Sequence, residues 1–250
     1  LSDLPRRRLA GRTLTGRRLA GRRLAGRLAR RPLVGRRLPR RLAQLYVGLV
    51  LYGVSMGLQL RATLGLDPWD AFHQGVSEHI PLSIGTVTVV VGVAALLLWI
   101  PLRQRPGLGT VSNVLVVGPV VDGTLWLTPE PEALAVRIPL LLFAIVLCGV
   151  ATGLYIAARF GPGPRDGLMT GLHRRTGWSI RLVRTGIELA VLATGFALGG
   201  SVGVGTVLFA LTIGPLSQFF LRVFAVPAPA GPGSGIVARG GAEAQVRDLI

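Results

Sequence analysis

The sequence predicts an all-α membrane protein: six transmembrane helices forming two inverted three-helix repeats, each with a short extra helix after its first span. Three features of the 250-residue chain predict it. Half of the residues are hydrophobic and only 16% are charged, a membrane-like composition. Apolar stretches of about 20 residues recur along the chain, the length needed to cross a bilayer core of roughly 30 Å. Residue types also repeat at a constant offset of 96, the mark of an internal duplication.

The formal charge of +17 is concentrated at one end. Residues 1–42 hold 15 arginines against a single acid, Asp3, in low-complexity units such as Arg17–Gly21 and Arg22–Gly26. So much like charge with so little apolar mass predicts a disordered or loosely helical cytoplasmic head. A nucleic-acid or anionic-lipid binding arm and a targeting segment are the competing readings. With the basic charge confined to the head, nucleic acid is disfavoured as a partner and the lipid bilayer is the expected one. A secretory signal peptide is disfavoured because the arginines extend far beyond a short n-region and no small-residue cleavage site precedes the first span. The single cysteine, Cys148, excludes an intrachain disulfide and a cysteine metal site.

The six spans are expected at 43–64, 82–102, 108–127, 137–159, 179–199 and 204–224. They divide the chain into the head (1–42), a first repeat (43–127), a second repeat (137–224) and a flexible Pro/Gly/Ala-rich cytoplasmic tail (225–250). Loop charges orient the spans, since short loops rich in arginine stay in the cytoplasm. The head lies inside, and the next loop, with Asp67, Asp70 and Glu78, lies outside. Arg103 and Arg105 are inside, Glu130 and Glu132 outside, and Arg159, Arg165, Arg174 and Arg175 inside again. Both termini are therefore expected in the cytoplasm.

The offset of 96 carries Gly57 to Gly153, Gly65 to Gly161, Pro68 to Pro164, Asp70 to Asp166, Ser83 to Ser179, and Gly118-Pro119 to Gly214-Pro215 without gaps. Three spans per unit is an odd number, so the second copy enters the membrane from the opposite face. The loop Asp67-Pro68-Trp69-Asp70 then faces outward and Gly163-Pro164-Arg165-Asp166 inward, as in many secondary transporters.

Each of these loops reads as a helix start: Asp67 as N-cap, Pro68 at the first helical position, Asp70 three residues after the cap, and the second copy likewise. The helices that follow, about 69–80 and 165–176, are too short and polar to span. They either lie at the interface or re-enter, and re-entry would aim their N-termini at a ligand. Asp70 and Asp166 are thus either cap residues or ligand- or proton-coupling groups. Glu188 is a carboxylate inside a span, a functional candidate by default, although Arg184 and Arg181 share its helix face and can neutralise it. The candidates for substrate or coupling-ion contact are Asp70, Asp166, Glu188, Asp67 and Arg165. Gln59, Asn113, Asp122 and Gln218 are milder polar positions suited to inter-helix hydrogen bonds. The Gly-x-Gly-Thr pairs at 107–110 and 203–206 lack the strand of a dinucleotide site. His73, His79 and His173 have no metal-ligand spacing, and no catalytic triad is evident. No cofactor, metal or catalytic residue is predicted.

Leu64-Gly-Leu-Asp-Pro-Trp-Asp70, Pro101-Leu-Arg-Gln-Arg-Pro106 and Gly161-Pro-Gly-Pro-Arg-Asp-Gly-Leu-Met-Thr170 resemble the YczE-like membrane proteins of bacteria, related to the YitT group. The resemblance covers about residues 43–224 and implies a multi-pass protein of the bacterial cytoplasmic (inner) membrane. It implies no substrate or reaction. The inverted repeat favours a secondary transporter or permease of an unidentified small solute or ion. The alternative is a non-transporting membrane scaffold or regulatory accessory protein, which would use the same fold without a solute site. An intramembrane enzyme would need a converging nucleophile, base and oxyanion donors, and no such set is present. Solute, coupling ion and oligomeric state are not legible.

Overall fold

The computed structural model describes residues 31–225, with side-chain surroundings from residue 38 onward. Among the described residues the chain is all-helical: α1 (Arg31–Ala62), α2 (Pro68–His79), α3 (Ile84–Trp99), α4 (Leu108–Leu127), α5 (Leu134–Ala157), α6 (Pro164–Thr176), α7 (Ile180–Ala197) and α8 (Val204–Phe224). Two compact units are distinguished, Leu1–Leu42 and Ala43–Ile250. In the first, helix is described from Arg31 on, so the expected head is helical over its last part; the rest of it lies outside the described residues. The tail expected over 225–250 lies outside them beyond Ala225. Everything below concerns the second unit.

Where six spans are expected, four helices are long and apolar enough to cross a membrane: α1 over Leu38–Ala62, α4, α5 and α8. The chain is a multi-pass membrane protein on that count. The two shortfalls have physical reasons. With 16 residues, α3 reaches only about 24 Å at 1.5 Å per residue, and it qualifies only together with α2, from which it is bent by 114°. The 18 residues of α7 include Arg181, Arg184 and Glu188, a charge load that a span facing lipid does not carry.

Local chemistry explains the helix ends. Ser83 and Ser179, 96 positions apart, cap α3 and α7 by accepting the backbone N–H of Thr86 and Leu182. Gly107 and Gly203 open α4 and α8, and in each the Gly N–H donates to the hydroxyl of a threonine three residues on, Thr110 or Thr206, at 3.2 Å. Gly65 and Gly161 turn the chain between helices at φ 111° and 120°, values that exclude a Cβ-bearing residue without strain.

Packing repeats at the same offset. Gly53 and Gly57 of α1 face Val120 and Thr124 of α4, as Gly149 and Gly153 of α5 face Leu216 and Phe220 of α8. Four-residue spacing of glycines lets each helix pair approach closely, the usual means of holding helices together without a hydrophobic driving force. Other contacts cross between the repeats. Helix α2 lies on α7 and α6 lies on α3: Gly75 abuts Leu198 while Gly171 abuts Leu102, and Gly195 abuts Ala71 while Gly167 abuts the ring of Trp99. Likewise the Gly109 N–H donates to the Phe160 carbonyl at 2.9 Å, and the Gly205 N–H to the Leu64 carbonyl at 2.8 Å.

One pairing does not repeat. Helices α3 and α4 cross with Gly85 against Gly118, and the α4 residue Asp122 caps the start of α3, accepting from the Ser83 hydroxyl at 2.6 Å and the Gly85 N–H at 2.8 Å. In the second repeat Asp122 is replaced by Gln218 and Gly85 by Arg181. There α7 and α8 stand apart, and neither Gly186 nor Gly214 has any atom that an added methyl would meet. Asp122→Ala removes two bonds to one carboxylate and is expected to cost about 1.5–3 kcal/mol, read as a lower Tm in detergent, while Gln218→Ala leaves Tm nearly unchanged.

Candidate functional site

The two short helices bring their N-termini together. At the start of α2 the Asp67 carboxylate accepts the N–H groups of Trp69 and Asp70, both at 2.9 Å, with Pro68 at the first helical position. This is the cap that the motif predicts. At the start of α6 the equivalent residue is Gly163, which offers no side chain. Trp69 and Arg165 occupy the same place in the two repeats, and they meet: the guanidinium lies over the indole, 5.0 Å from its centroid.

Around that contact the polar groups converge. Arg165 Nη2 lies 3.5 Å from Asp70 Oδ1, and His73 Nδ1 is 3.6 Å from the same oxygen. Asp70 and His73 are nearly inaccessible, at 2% and 1% exposure, and Arg165 retains 22%. Thr88 Oγ1 stands 3.3 Å from His73 Nδ1. Asp166 accepts from the Tyr155 hydroxyl at 3.3 Å. Arg184 Nε donates to Glu188 Oε1 at 3.0 Å, the ion pair that their spacing allows. Within this cluster two buried atoms have no hydrogen-bond partner, Trp69 Nε1 and His73 Nε2.

These side chains surround a cavity of about 200 Å³, to which all eight described helices contribute. Of the residues singled out in the sequence, Asp67, Arg165, Asp166 and Glu188 line it, and Asn113 and Gln218 do as well. Asp70 stands behind Arg165, and Asp122 is part of the α3–α4 crossing. The aromatic wall of Tyr52, Trp69, Tyr155 and Phe209, with Tyr52 edge-on to Tyr155 at 6.1 Å, is not among the predicted site residues. Only the pairing of Trp69 with Arg165 at the repeat offset signals any part of it. Among the described residues no group of three or more His, Cys, Asp or Glu could hold a metal ion. The cavity can enclose and hydrogen-bond a small polar solute.

A family model described as "Family of unknown function (DUF6198)" matches residues 39–222, the whole of the cavity included. The chain belongs to this family. The DUF6198 chain is similar to an uncharacterized protein of Haemophilus influenzae, 40% identical over 181 residues, covering 72% of this chain and 83% of that one. It is also similar to the uncharacterized membrane protein YczE of Bacillus subtilis, 33% identical over 180 residues, 70% and 83% of the two chains. A second Bacillus subtilis relative, the uncharacterized protein YyaS, is 26% identical over 183 residues, 71% and 90% of the two. The YczE-like resemblance is thereby established. No solved structure matches.

Proposed function

We propose that this protein is a secondary transporter or permease for a small solute, embedded in the bacterial inner membrane with both termini in the cytoplasm. Its working unit is a six-span pair of inverted repeats. Helix starts, glycine turns and cross-repeat contacts all recurring at an offset of 96 support that architecture. In it, α3 and α7 complete the two three-span units, packed on α6 and α2 respectively, with Arg184 and Glu188 of α7 on the cavity wall.

The observation that carries the reading is the cavity between the repeats, closed on one side and loose on the other. Gly85, Gly118 and Asp122 seal α3 against α4, whereas the equivalent α7 and α8 stand apart and present Glu188 and Gln218 to the cavity. Two copies of one unit holding different conformations around one site is the arrangement that alternating access requires. Exchange of the two conformations would open α3–α4 and close α7–α8. The reading is transport without catalysis.

The test begins with purified protein in lipid nanodiscs, melted in the presence of a metabolite and ion panel, since a solute bound only by the folded state raises Tm by mass action. A saturable shift should be followed by saturable uptake into proteoliposomes, with Glu188→Gln and Asp166→Asn reducing both. Binding without uptake, or no binding from the panel, would instead favour the accessory-protein role.

A further inference from the structure

We infer that the solute of this cavity is a small organic ammonium ion, an amine carrying its own N–H donors. The inference rests on the transport reading for its site and adds the chemical class of the cargo. Charge makes the first half of the case. Four carboxylates, Asp67, Asp70, Asp166 and Glu188, share two guanidinium groups, Arg165 and Arg184. Arg165 pairs with Asp70 and Arg184 with Glu188. Asp67 and Asp166, on the cavity wall, accept from two backbone N–H groups and from the Tyr155 hydroxyl respectively, and they share the same two cations, Arg165 acting on Asp67 and Arg184 on Asp166, so two positive groups serve four acids. Uncompensated negative charge away from water is costly, and a bound cation removes the cost.

His73 makes the second half. It is 1% exposed, lines the cavity, and its Nε2 has no partner. The Asp70 carboxylate beside Nδ1 favours the ring proton on that nitrogen, which leaves Nε2 as a bare acceptor. An unmet acceptor in a closed site asks for a donor from the ligand. An ammonium N–H supplies it and a quaternary amine does not; a metal ion would take the same lone pair, but among the described residues no group of three or more His, Cys, Asp or Glu could hold one. Tyr52, Trp69 and Tyr155 line the same space, with the Trp69 face covered by Arg165. Trp69 Nε1, the unmet donor, calls for a hydroxyl or carbonyl on the same solute.

Ethanolamine, ethylene glycol and glycolate form a matched probe set: each carries a hydroxyl, and only the other end changes from cation to neutral to anion. With the full-length protein in nanodiscs, ethanolamine is expected to raise Tm saturably while the other two do not. Asp166→Asn should weaken that binding about tenfold or more, the loss of one charge-assisted hydrogen bond. Should that variant not fold, the comparison of the three probes on the wild-type protein decides alone. Stabilisation by glycolate instead of ethanolamine, or by all three alike, overturns the inference and leaves transport standing. Silence from all three overturns it as well. Ethanolamine binding without uptake into proteoliposomes upholds the ligand class and removes the transport reading.

Discussion

Arg165→Ala is expected to unfold a large fraction of the protein. Asp70 is 2% exposed, and the guanidinium 3.5 Å away, itself stacked on Trp69, is its charge partner. Removing one member of a buried ion pair strands the other, at a cost of about 3–5 kcal/mol, a large share of the stability of a typical domain. The accompanying change Asp70→Asn should restore much of the loss, because the stranded charge rather than the missing contact dominates. Thermal melting of the single and double variants in one detergent measures both terms. Equal Tm values for Arg165→Ala and the double variant would show that the pair carries no such energy. Arg165→Lys should fall between, since an ammonium cannot lie flat on the indole and reach the carboxylate with the same geometry.

Glycine replacement at the α3–α4 crossing should have the next largest effect. A Cβ added at Gly85 would collide with the Gly118 carbonyl oxygen, and one at Gly118 with the Gly85 carbonyl oxygen. Both obstacles are backbone, so no side-chain rotation relieves them. Gly85→Ala is expected to cost about 1–3 kcal/mol, and Gly85→Leu more, by forcing α3 from α4. Gly186→Ala provides the contrast: it is inside α7 with nothing within 4 Å, and Ala is the better helix former by up to about 1 kcal/mol. Its Tm should hold or rise. If Gly85→Ala and Gly186→Ala melt alike, the close crossing does not exist in the membrane-embedded protein.

How much of this was legible beforehand depends on the range of the interaction. Proline at the first turn of α2 and α6 and the Arg184–Glu188 pair are local, and spacing alone reveals them, whereas Ser83 and Ser179 are legible only as partners at the repeat offset and their capping is not. The offset of 96 carried more, since it located six of the eight helix starts in matched pairs: 68 with 164, 84 with 180, and 108 with 204. Span number was harder. The spans expected at 82–102 and 179–199 run past Trp99 and Ala197, where the helices end, so hydropathy makes α3 longer than it is, and α7 reads as an ordinary span despite its charge. The site was legible only in part. Asp67 as a cap could be read from four residues, but the Arg165–Trp69–Asp70–His73 cluster joins positions roughly a hundred residues apart. Nothing in periodicity reports such a contact. Asp122 is the exception, since the inter-helix hydrogen bonding expected of it is what its two bonds to the start of α3 supply.

The crossing of α2 onto α7 and of α6 onto α3 bears on how the protein is made. Helix α2 ends at His79 and its packing partner begins at Ile180, so about a hundred residues must be synthesised before the two can meet. At 5–20 residues per second, that interval is on the order of 5–20 s. For most of it, Asp67, Asp70 and His73 have been translated while Arg165, the charge partner of Asp70, has not. The first half therefore cannot reach its final form on its own, and the order of synthesis makes the second half the template on which the first is completed.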